Sequence, residues 1–400
     1  MTEKLSIQDV DVKNKRVLIR VDFNVPMDKS GTITDDTRIR ASLPTIQYVL
    51  DHGGICILMS HLGRPKGKSK EFSLAPCAKR LSELLKKPVQ MAPDCIGPDV
   101  KKMVDALNPG DILLLENVRF YDAEEQPEKD PKFAKELSTL ADIYVNDAFG
   151  SAHRAHSSVA TIAKYFPKAS VSGFLLQKEI EFLGNAFQSP KRPFYAIIGG
   201  AKISTKIGIL GSLLQKVDAL FIGGAMAFTF FKASGLSIGN SPVEDSMLDS
   251  AKTIMNQCAL KGVPLYLPSD VVIADKFAND AKRKVISAKE GIPEGFEGMD
   301  VGPETIESWT NLLQNGKTIF WNGPVGVFEF SNFAKGTQKL AESLGSLKNA
   351  IVIVGGGDSI AAIQQVNLSD NFAHLSTGGG ASLEYIEKGT LPGIEVLTDK

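Results

Sequence analysis

The chain has 400 residues, of which 43% are hydrophobic and 23% charged, as is usual for a globular protein of two or three domains. Its 45 Lys and Arg residues almost balance 46 Asp and Glu residues, so the overall charge indicates neither a nucleic-acid partner nor an anionic membrane. No signal-peptide core or membrane-spanning apolar run is present in the sequence, and Cys56, Cys77, Cys95 and Cys258 show no C-x-x-C spacing. We therefore expect reduced thiols in a cytoplasmic protein.

Short runs rich in Val and Ile alternate along the chain with segments of helical periodicity. The predicted strands are Arg16–Val21, Ile55–Met59, Ile112–Leu115, Ile143–Val145, Phe194–Ile198, Ala219–Ile222, Val263–Leu267, Thr318–Trp321 and Ile351–Val354. The predicted helices include Arg38–Leu50, Ala75–Leu85, Phe133–Leu140, Ile203–Leu214 and Phe333–Leu344. This alternation predicts an α/β fold with mainly parallel, doubly wound sheets, in which ligands bind at the carboxyl ends of the strands.

A boundary is predicted near the middle of the chain. Gly173–Phe187 has the pattern of an amphipathic helix, and the polar, proline-containing segment Ser189–Pro193 follows it. The pattern favours two Rossmann-like domains, over 1–172 and 189–388, joined by a hinge helix over 173–188. An ordinary packing helix inside one larger domain remains the alternative.

The strand ends of the first half carry arginines and histidines. They occur in His61–Arg64, Glu116–Phe120 and His153–His156, which hold three of the five histidines of the chain, and the polar segment Asp22–Asn24 also follows a predicted strand. Guanidinium groups pair with phosphate or carboxylate oxygens two at a time, so a cluster of them is typical of a site for a small phosphorylated acid. The Asp22–Asn24 segment on its own also fits a simple turn.

Arg38 is a further candidate in the first half. Asp35 or Asp36 could cap the helix that follows, which places Arg38 in its first turn. A cation there opposes the helix dipole, and this favours a ligand contact over a merely structural role. By contrast, Gly63–Ser69 resembles a phosphate-binding loop but is one residue too short and contains Pro65, so we reject that interpretation.

The strand ends of the second half carry glycine runs, which suit nucleotide phosphates because they expose backbone N–H groups at helix starts. In Gly199–Ser204, Lys202 lies four residues before Lys206, and we expect both lysines on one face at the start of a helix. Gly223–Phe228 is expected to form an apolar wall for a base or sugar. Trp321–Glu329 is expected to add an apolar slot, with Glu329 on the ribose.

The strongest single signal is Gly355–Ser359, where three glycines precede Asp358, a hard oxygen ligand for Mg²⁺ on nucleotide phosphates. Thr377–Ser382 supplies a second set of amides. Neither run matches the dinucleotide fingerprint, since Ile360 and Leu383 replace its last glycine, and this argues against a nicotinamide dehydrogenase. Guanidinium loops and glycine loops in one chain predict phosphoryl transfer between a small acid and a nucleotide.

The ordered motifs RVDFNVP, HLGRP, ENVRF, AFGSAHRAHSS, GGAKIS, GGAMAFTF, WNGPVGVFE, GGGDS and STGGGASLE resemble the phosphoglycerate kinase family over nearly the whole chain. The resemblance implies reversible transfer of the acyl phosphate of 1,3-bisphosphoglycerate to Mg-ADP, giving 3-phosphoglycerate and Mg-ATP, by a cytoplasmic monomer that closes about its hinge. It also implies that the C-terminal tail, from about 389 to 400, packs on the first domain. A non-catalytic protein that binds phosphometabolites or nucleotides is the alternative.

The resemblance also assigns roles to residues. The substrate would be bound by Asp22, Phe23, Asn24, Arg38, His61, Leu62, Gly63, Arg64, Arg119 and Arg154. The nucleotide would be bound by Ala201, Lys202, Lys206, Gly224, Gly302, Asn322, Val325, Glu329, Gly355, Gly356, Gly357, Asp358 and Ser359, with Asp358 as the metal ligand. Arg38, Lys202, Gly357 and Gly380 would contact the transferring phosphoryl group and are the candidate catalytic residues. Two departures are Ala225, where some members carry glycine, and Ser359, where others carry threonine.

Overall fold

A computed structural model describes residues 3–400 except for the side chain of Asn185. The chain divides into two compact units. The first unit runs to Glu181 and includes Thr390–Lys400, and the second unit is Phe182–Gly389. The division falls inside one helix, which spans Phe174–Gln188.

The first unit is built on a six-stranded parallel sheet. Its strands are β1 (Arg16–Arg20), β2 (Ile55–Met59), β3 (Gln90–Met91), β4 (Ile112–Leu114), β5 (Ile143–Asn146) and β6 (Ser170–Ser172). The spatial order is β3-β4-β2-β1-β5-β6, so the chain winds outwards from β1 in one direction and then, from β5, in the other. Ligand sites in such sheets lie at this reversal, at the carboxyl ends of the strands.

The helices of the first unit connect these strands, as right-handed crossovers between parallel strands require. They are α1 (Thr37–Asp51), α2 (Ala75–Leu85), α3 (Pro98–Asp105), α4 (Asp122–Glu125), α5 (Lys132–Ser138) and the first part of α6 (Phe174–Gln188). The C-terminal residues also belong to this unit: Thr398 accepts from Leu5 N and donates to Ser170 O, each at 2.9 Å. Asn146 Nδ2 donates to Gly393 O at 2.9 Å.

The second unit contains another six-stranded parallel sheet, of order β15-β14-β13-β7-β8-β9. Its strands are β7 (Phe194–Ile198), β8 (Ala219–Ile222), β9 (Leu265–Tyr266), β13 (Thr318–Asn322), β14 (Ile351–Gly355) and β15 (His374–Ser376). Here the winding reverses between β7 and β13. The helices are the second part of α6, α7 (Ile207–Leu213), α8 (Met226–Ala233), α9 (Leu248–Lys261), α10 (Pro303–Leu313), α11 (Lys335–Gly345), α12 (Gly357–Gln365) and α13 (Gly380–Lys388), and α14 (Pro392–Glu395) follows in the first unit.

A small antiparallel sheet was not predicted. It has the order β11-β10-β12 and consists of β10 (Asp270–Ala274), β11 (Arg283–Ser287) and β12 (Glu297–Val301). Two further predictions were wrong in extent: the strand expected over Val263–Leu267 is only Leu265–Tyr266, and the helix expected from Ile203 begins at Ile207. The predicted class of two mainly parallel α/β sheets is confirmed.

Burial follows from this architecture. Both faces of a parallel sheet are covered, so the central strands are apolar throughout, and every residue of β2 and of β13 is buried. All four cysteines are buried and unpaired. None of the helices in the described part of the chain is long and apolar enough to cross a membrane.

Candidate functional site

Loops of the first unit leave adjacent strands at one edge of the sheet. The strands β4, β2, β1 and β5 are neighbours, and their carboxyl ends are followed by Arg119, His61–Arg64, Asp22–Asn24 and Arg154. Gly63 ties three of these loops together, since its N–H donates to Asn24 Oδ1 at 2.9 Å and its carbonyl accepts from Arg119 Nη1 at 2.8 Å. Its φ of 61° and the Phe72 ring, 2.4 Å from where a Cβ would lie, restrict this position to glycine.

Arg38 is held beside this loop cluster by a carboxylate. It is the second residue of α1, and its Nη1 lies 2.7 Å from Asp22 Oδ2. The Asp22 side chain is only 9% exposed, whereas that of Arg38 is 35% exposed, so the guanidinium is oriented and still reaches solvent. Asp36 stands at the N-cap of α1, but its carboxylate bonds to Arg40 and Arg80 instead of capping the helix.

A buried arginine that the sequence analysis did not single out lies behind the cluster. Arg20, the last residue of β1, is 1% exposed, and its Nη2 lies 3.2 Å from His61 Nδ1. Because arginine can only donate, His61 Nδ1 accepts and the ring proton is on Nε2. Burial, reinforced by Arg20 and Arg119, lowers the pKa of His61 well below its usual range, so this ring is neutral at physiological pH. The feature of the sequence that could have identified Arg20 is a charged residue at the end of an apolar run.

The other candidates of the first unit differ in exposure. Arg64 is exposed and Arg154 is half-buried. Phe23 and Leu62 are 0% and 3% exposed and belong to the hydrophobic core, so a ligand could reach only their backbone atoms. Direct contacts join Arg38 to Asp22, and Asn24 and Arg119 to Gly63. Burial lowers the pKa of the Arg119 guanidinium, and Arg154 lies close enough to add to this lowering.

In the second unit, a cavity of about 460 Å³ lies at the carboxyl end of the sheet. Its lining includes Ala201, Gly224, Ala225, Phe277, Val325 and Glu329. Gly224 has a φ of 67°, and a Cβ there would lie 2.5 Å from Gly200 N, so the loops after β7 and β8 approach as closely as backbones can. The apolar wall expected from Gly223–Phe228 thus lines this cavity.

A second cavity, of about 310 Å³, lies at the N-terminus of α12. It is lined by Lys206 and Asn322, which bond to each other, together with Gly356, Gly357, Asp358 and Ser359. Asn322 is 1% exposed, and its buried Nδ2 has no hydrogen-bond partner among the described residues. An unsatisfied buried donor, an amine and a helix N-terminus around one cavity fit an anion such as a phosphate.

Two of the lining residues have particular chemistry. Burial lowers the pKa of Lys206 to about 8, while Asp358 opposes this shift. The hydroxyl of Ser359 accepts from Gly323 N at 2.7 Å, so it links the loop after β13 to α12. Ser359 therefore makes a structural hydrogen bond.

Lys202 and Gly302 differ from their predicted positions. Lys202 lies in the loop before α7 and Lys206 is the N-cap of that helix, so the two lysines do not share a helical face. Lys202 is exposed and lines the smaller cavity. Gly302 lines neither of these cavities but a separate groove, where a Cβ would lie 2.1 Å from the Asp270 carboxylate.

The remaining glycines begin helices. Gly357 and Gly380 are the first residues of α12 and α13, and nothing lies within 4 Å of the position of a Cβ on either. Asp358 is exposed in the first turn of α12. Within the described residues there is no cluster of three or more His, Cys, Asp or Glu side chains that could hold a metal. A lone carboxylate next to an anion pocket instead suits Mg²⁺, which commonly binds through one or two carboxylates and nucleotide phosphates.

The fold and the two loop sets define a nucleotide-dependent kinase of the α/β class. A family model described as phosphoglycerate kinase matches residues 7–389. The chain is 54% identical to the cytosolic phosphoglycerate kinase of Nicotiana tabacum, with 98% of each chain covered, and 53% identical to the phosphoglycerate kinase of Thermosynechococcus vestitus, with 97% of each covered. The solved phosphoglycerate kinase of Coxiella burnetii superposes with a TM-score of 0.87 at 43% identity, with 98% of each chain covered.

The chain belongs to the phosphoglycerate kinase family. A more distant solved structure, the enzyme of Pyrococcus horikoshii, agrees, with a TM-score of 0.86 at 31% identity and 98% of each chain covered. The family resemblance read from the motifs is confirmed, and a non-catalytic binding protein is not favoured.

Proposed function

We propose that the protein transfers the acyl phosphate of 1,3-bisphosphoglycerate reversibly to Mg-ADP, giving 3-phosphoglycerate and Mg-ATP. The observation that carries this proposal is the anion pocket of the second unit. There Lys206, the unpartnered Asn322 Nδ2 and the N-terminus of α12 surround one cavity, next to a larger, mainly apolar one. The smaller cavity suits the polyphosphate of a nucleotide, and the larger one suits its base and sugar.

The phosphoglycerate would bind to the loop cluster of the first unit. Asp22, Asn24, Arg38, His61, Arg64, Arg119 and Arg154 would provide the side-chain contacts, and Phe23, Leu62 and Gly63 would provide backbone groups. Each charge-assisted hydrogen bond contributes about 1.5–3 kcal/mol, so several together account for about micromolar affinity. His61 would act as a neutral donor through Nε2.

The nucleotide would bind in the second unit. Its base and ribose would occupy the larger cavity, against Ala201, Gly224, Val325 and Glu329, and its phosphates the smaller one, against Lys202, Lys206, Asn322 and the segment 355–359. Gly302 remains a proposed contact on the family resemblance alone. Asp358 would hold Mg²⁺, which when bound neutralises charge on the phosphate oxygens.

The chemistry needs no general acid or base, because the acyl phosphate is reactive and its leaving carboxylate requires no proton. The protein positions the reactants and neutralises charge on the moving phosphoryl group. We assign contacts with that group to Arg38 and Lys202 and to the amides at Gly357 and Gly380. Both of these glycines begin helices, and their N–H groups are therefore available to an anion.

We also propose the domain limits that the sequence predicts. The first domain is 1–172 together with a tail of about 389–400, the hinge helix is 173–188, and the second domain is 189–388. Closure about this hinge would expel water from the acyl phosphate before transfer. We further propose a cytoplasmic monomer with neither nucleic acid nor membrane as its main partner. Cytosolic plant relatives at 53–54% identity support the compartment, although a chloroplastic relative from Arabidopsis thaliana is also 53% identical.

A coupled assay tests the function. Purified protein with 1,3-bisphosphoglycerate and Mg-ADP should form ATP, detected by a hexokinase-linked readout. Control mixtures that contain only glucose or only ADP in place of the complete substrates should give no signal. Absence of ATP formation by folded protein would exclude the proposal.

A further inference from the structure

A continuous chain of buried polar groups runs from Glu124, in α4, to His61. The carboxylate accepts twice from Ser158, at 2.7 Å from the hydroxyl and at 2.9 Å from the backbone N–H. The same hydroxyl accepts from Arg20 Nε at 2.8 Å, and Arg20 Nη2 meets His61 Nδ1 at 3.2 Å. Glu124 and Ser158 are 0% exposed and Arg20 is 1% exposed, so water cannot replace these contacts.

Each link fixes the next one. The Glu124 carboxylate accepts the hydrogen bond from the Ser158 hydroxyl, so a lone pair of Ser158 Oγ is directed towards Arg20 Nε. The Arg20 fork is completed by Nη1, which donates to Val21 O at 2.5 Å. Its orientation is therefore set at two nitrogens, Nε and Nη1, and the contact of the third, Nη2, determines which His61 nitrogen carries the proton.

We propose that Ser158 and Glu124 are positioning residues for the substrate site: they hold Arg20 so that His61 keeps its proton on Nε2 and presents it to the phosphoglycerate. This inference rests on the proposed role of His61 in substrate binding. Buried charged groups such as Arg20 and Glu124 are weak evidence for stability, because their desolvation offsets the attraction of the charges. The series of contacts ends at His61, a residue of the loop cluster. Arg20 and Glu124 would not need this contact if their role were purely structural.

The test compares two neighbouring serines. Ser158→Ala removes the link to Arg20. The matched control is Ser157→Ala, since Ser157 is 1% exposed and its hydroxyl donates only to Ala123 O, at 2.6 Å. Both variants lose one buried hydroxyl of equal size from the same loop. The measurements are thermal unfolding, the ¹⁵N chemical shifts of the His61 ring, and steady-state kinetics with 3-phosphoglycerate and Mg-ATP.

We expect Ser158→Ala to raise KM for 3-phosphoglycerate roughly tenfold, with kcat and KM for ATP changed by less than about twofold, because an interaction equal in ground and transition states is lost. The ¹⁵N shifts should show that the single Nε2–H tautomer is lost. Ser157→Ala should leave both unchanged. If Ser158→Ala does not fold, Glu124→Gln, which can accept from only one of the Ser158 donors, should give the same changes.

Unchanged KM and ¹⁵N shifts in folded Ser158→Ala, or the same changes in Ser157→Ala, would overturn the inference. Failure of the proposed function is a separate outcome, in which the wild-type protein shows no turnover. The ¹⁵N measurement needs no substrate and would still report whether Ser158 fixes the ring.

Discussion

Arg38 is the side chain that best separates catalysis from binding. Arg38→Ala should lower kcat by about 10³–10⁵, because an arginine on a transferring phosphoryl group contributes that much. Affinity for ADP should change little, since the cavities proposed to bind the nucleotide lie in the other unit. Steady-state kinetics and an ADP titration measure both. Arg40→Ala is the control, because Arg40 lies on the same helix and is 53% exposed; near-normal turnover of Arg38→Ala would refute the assignment.

Lys206 predicts a pH dependence. Its pKa is lowered to about 8, so the amine loses its charge as the pH rises through that value, and the attraction for phosphate is lost with it. ADP affinity should therefore fall between about pH 7 and pH 9. Lys206→Arg keeps the charge throughout this range and should flatten the profile. Calorimetric titration at several pH values checks this, and parallel profiles for the two proteins would count against it.

Asp358 predicts a metal dependence. Asp358→Ala should raise the Mg²⁺ concentration needed for half-maximal ADP binding, since no other carboxylate lines the smaller cavity. Asp370→Ala, which removes an exposed carboxylate beyond the end of α12, is the control. Titrating Mg²⁺ at fixed ADP distinguishes them, and identical curves for the two variants would remove Asp358 from the metal site.

Among the secondary-structure elements, α6 has an unusual start. Asp147 Oδ1 accepts from Leu175 N at 2.8 Å and from Leu176 N at 3.2 Å. Burial raises the pKa of Asp147 from 3.8 to about 7. The folded protein thus binds more protons than the unfolded chain between these values, and the free energy of unfolding should fall as the pH rises through them.

Asp147→Asn should remove this part of the pH dependence, because the amide does not titrate. Each unit between the two pKa values corresponds to about 1.4 kcal/mol. Urea unfolding of both proteins between about pH 5 and pH 8 measures the difference. Equal slopes would show that Asp147 ionises normally. Asp300→Asn is a parallel test in the second unit and should change the slope in the same direction, since burial also raises the pKa of Asp300 to about 7.

Apolar periodicity predicted the long central strands well, because a strand covered on both faces must be apolar throughout. It missed β3, β6, β15 and the antiparallel sheet. β3, β6 and β15 are short and β11 is largely exposed, so partner strands rather than composition define them. β10 and β12 are as long as the central strands and mostly buried, so neither shortness nor exposure explains why the antiparallel sheet was missed.

The candidate site divides in the same way. The motifs correctly placed the arginine and glycine loops after strands, and in a parallel sheet the loops that follow the strands lie at one edge. Arg20 was missed because its role depends on burial and on Ser158, which is distant in sequence. Lys202 and Lys206 were given a shared helical face because periodicity cannot show that α7 begins only at Ile207.

For the whole molecule, the proposal that the two ligands bind to different units predicts a change of size on binding. The radius of gyration in small-angle scattering should decrease when 3-phosphoglycerate and a non-hydrolysable Mg-ATP analogue are both present. Either ligand alone should have a smaller effect, because the transfer requires both. Equal radii with and without the pair would argue against closure about α6.

The return of the C-terminal residues to the first unit also affects how the protein is made. That unit lacks Thr390–Lys400 until the whole second unit, Phe182–Gly389, has been synthesised. The first unit can therefore complete its native contacts only after the second unit has been made, although it begins earlier in the chain. The N-terminal segment must wait for the tail, whose residue Thr398 bonds to both Leu5 and Ser170.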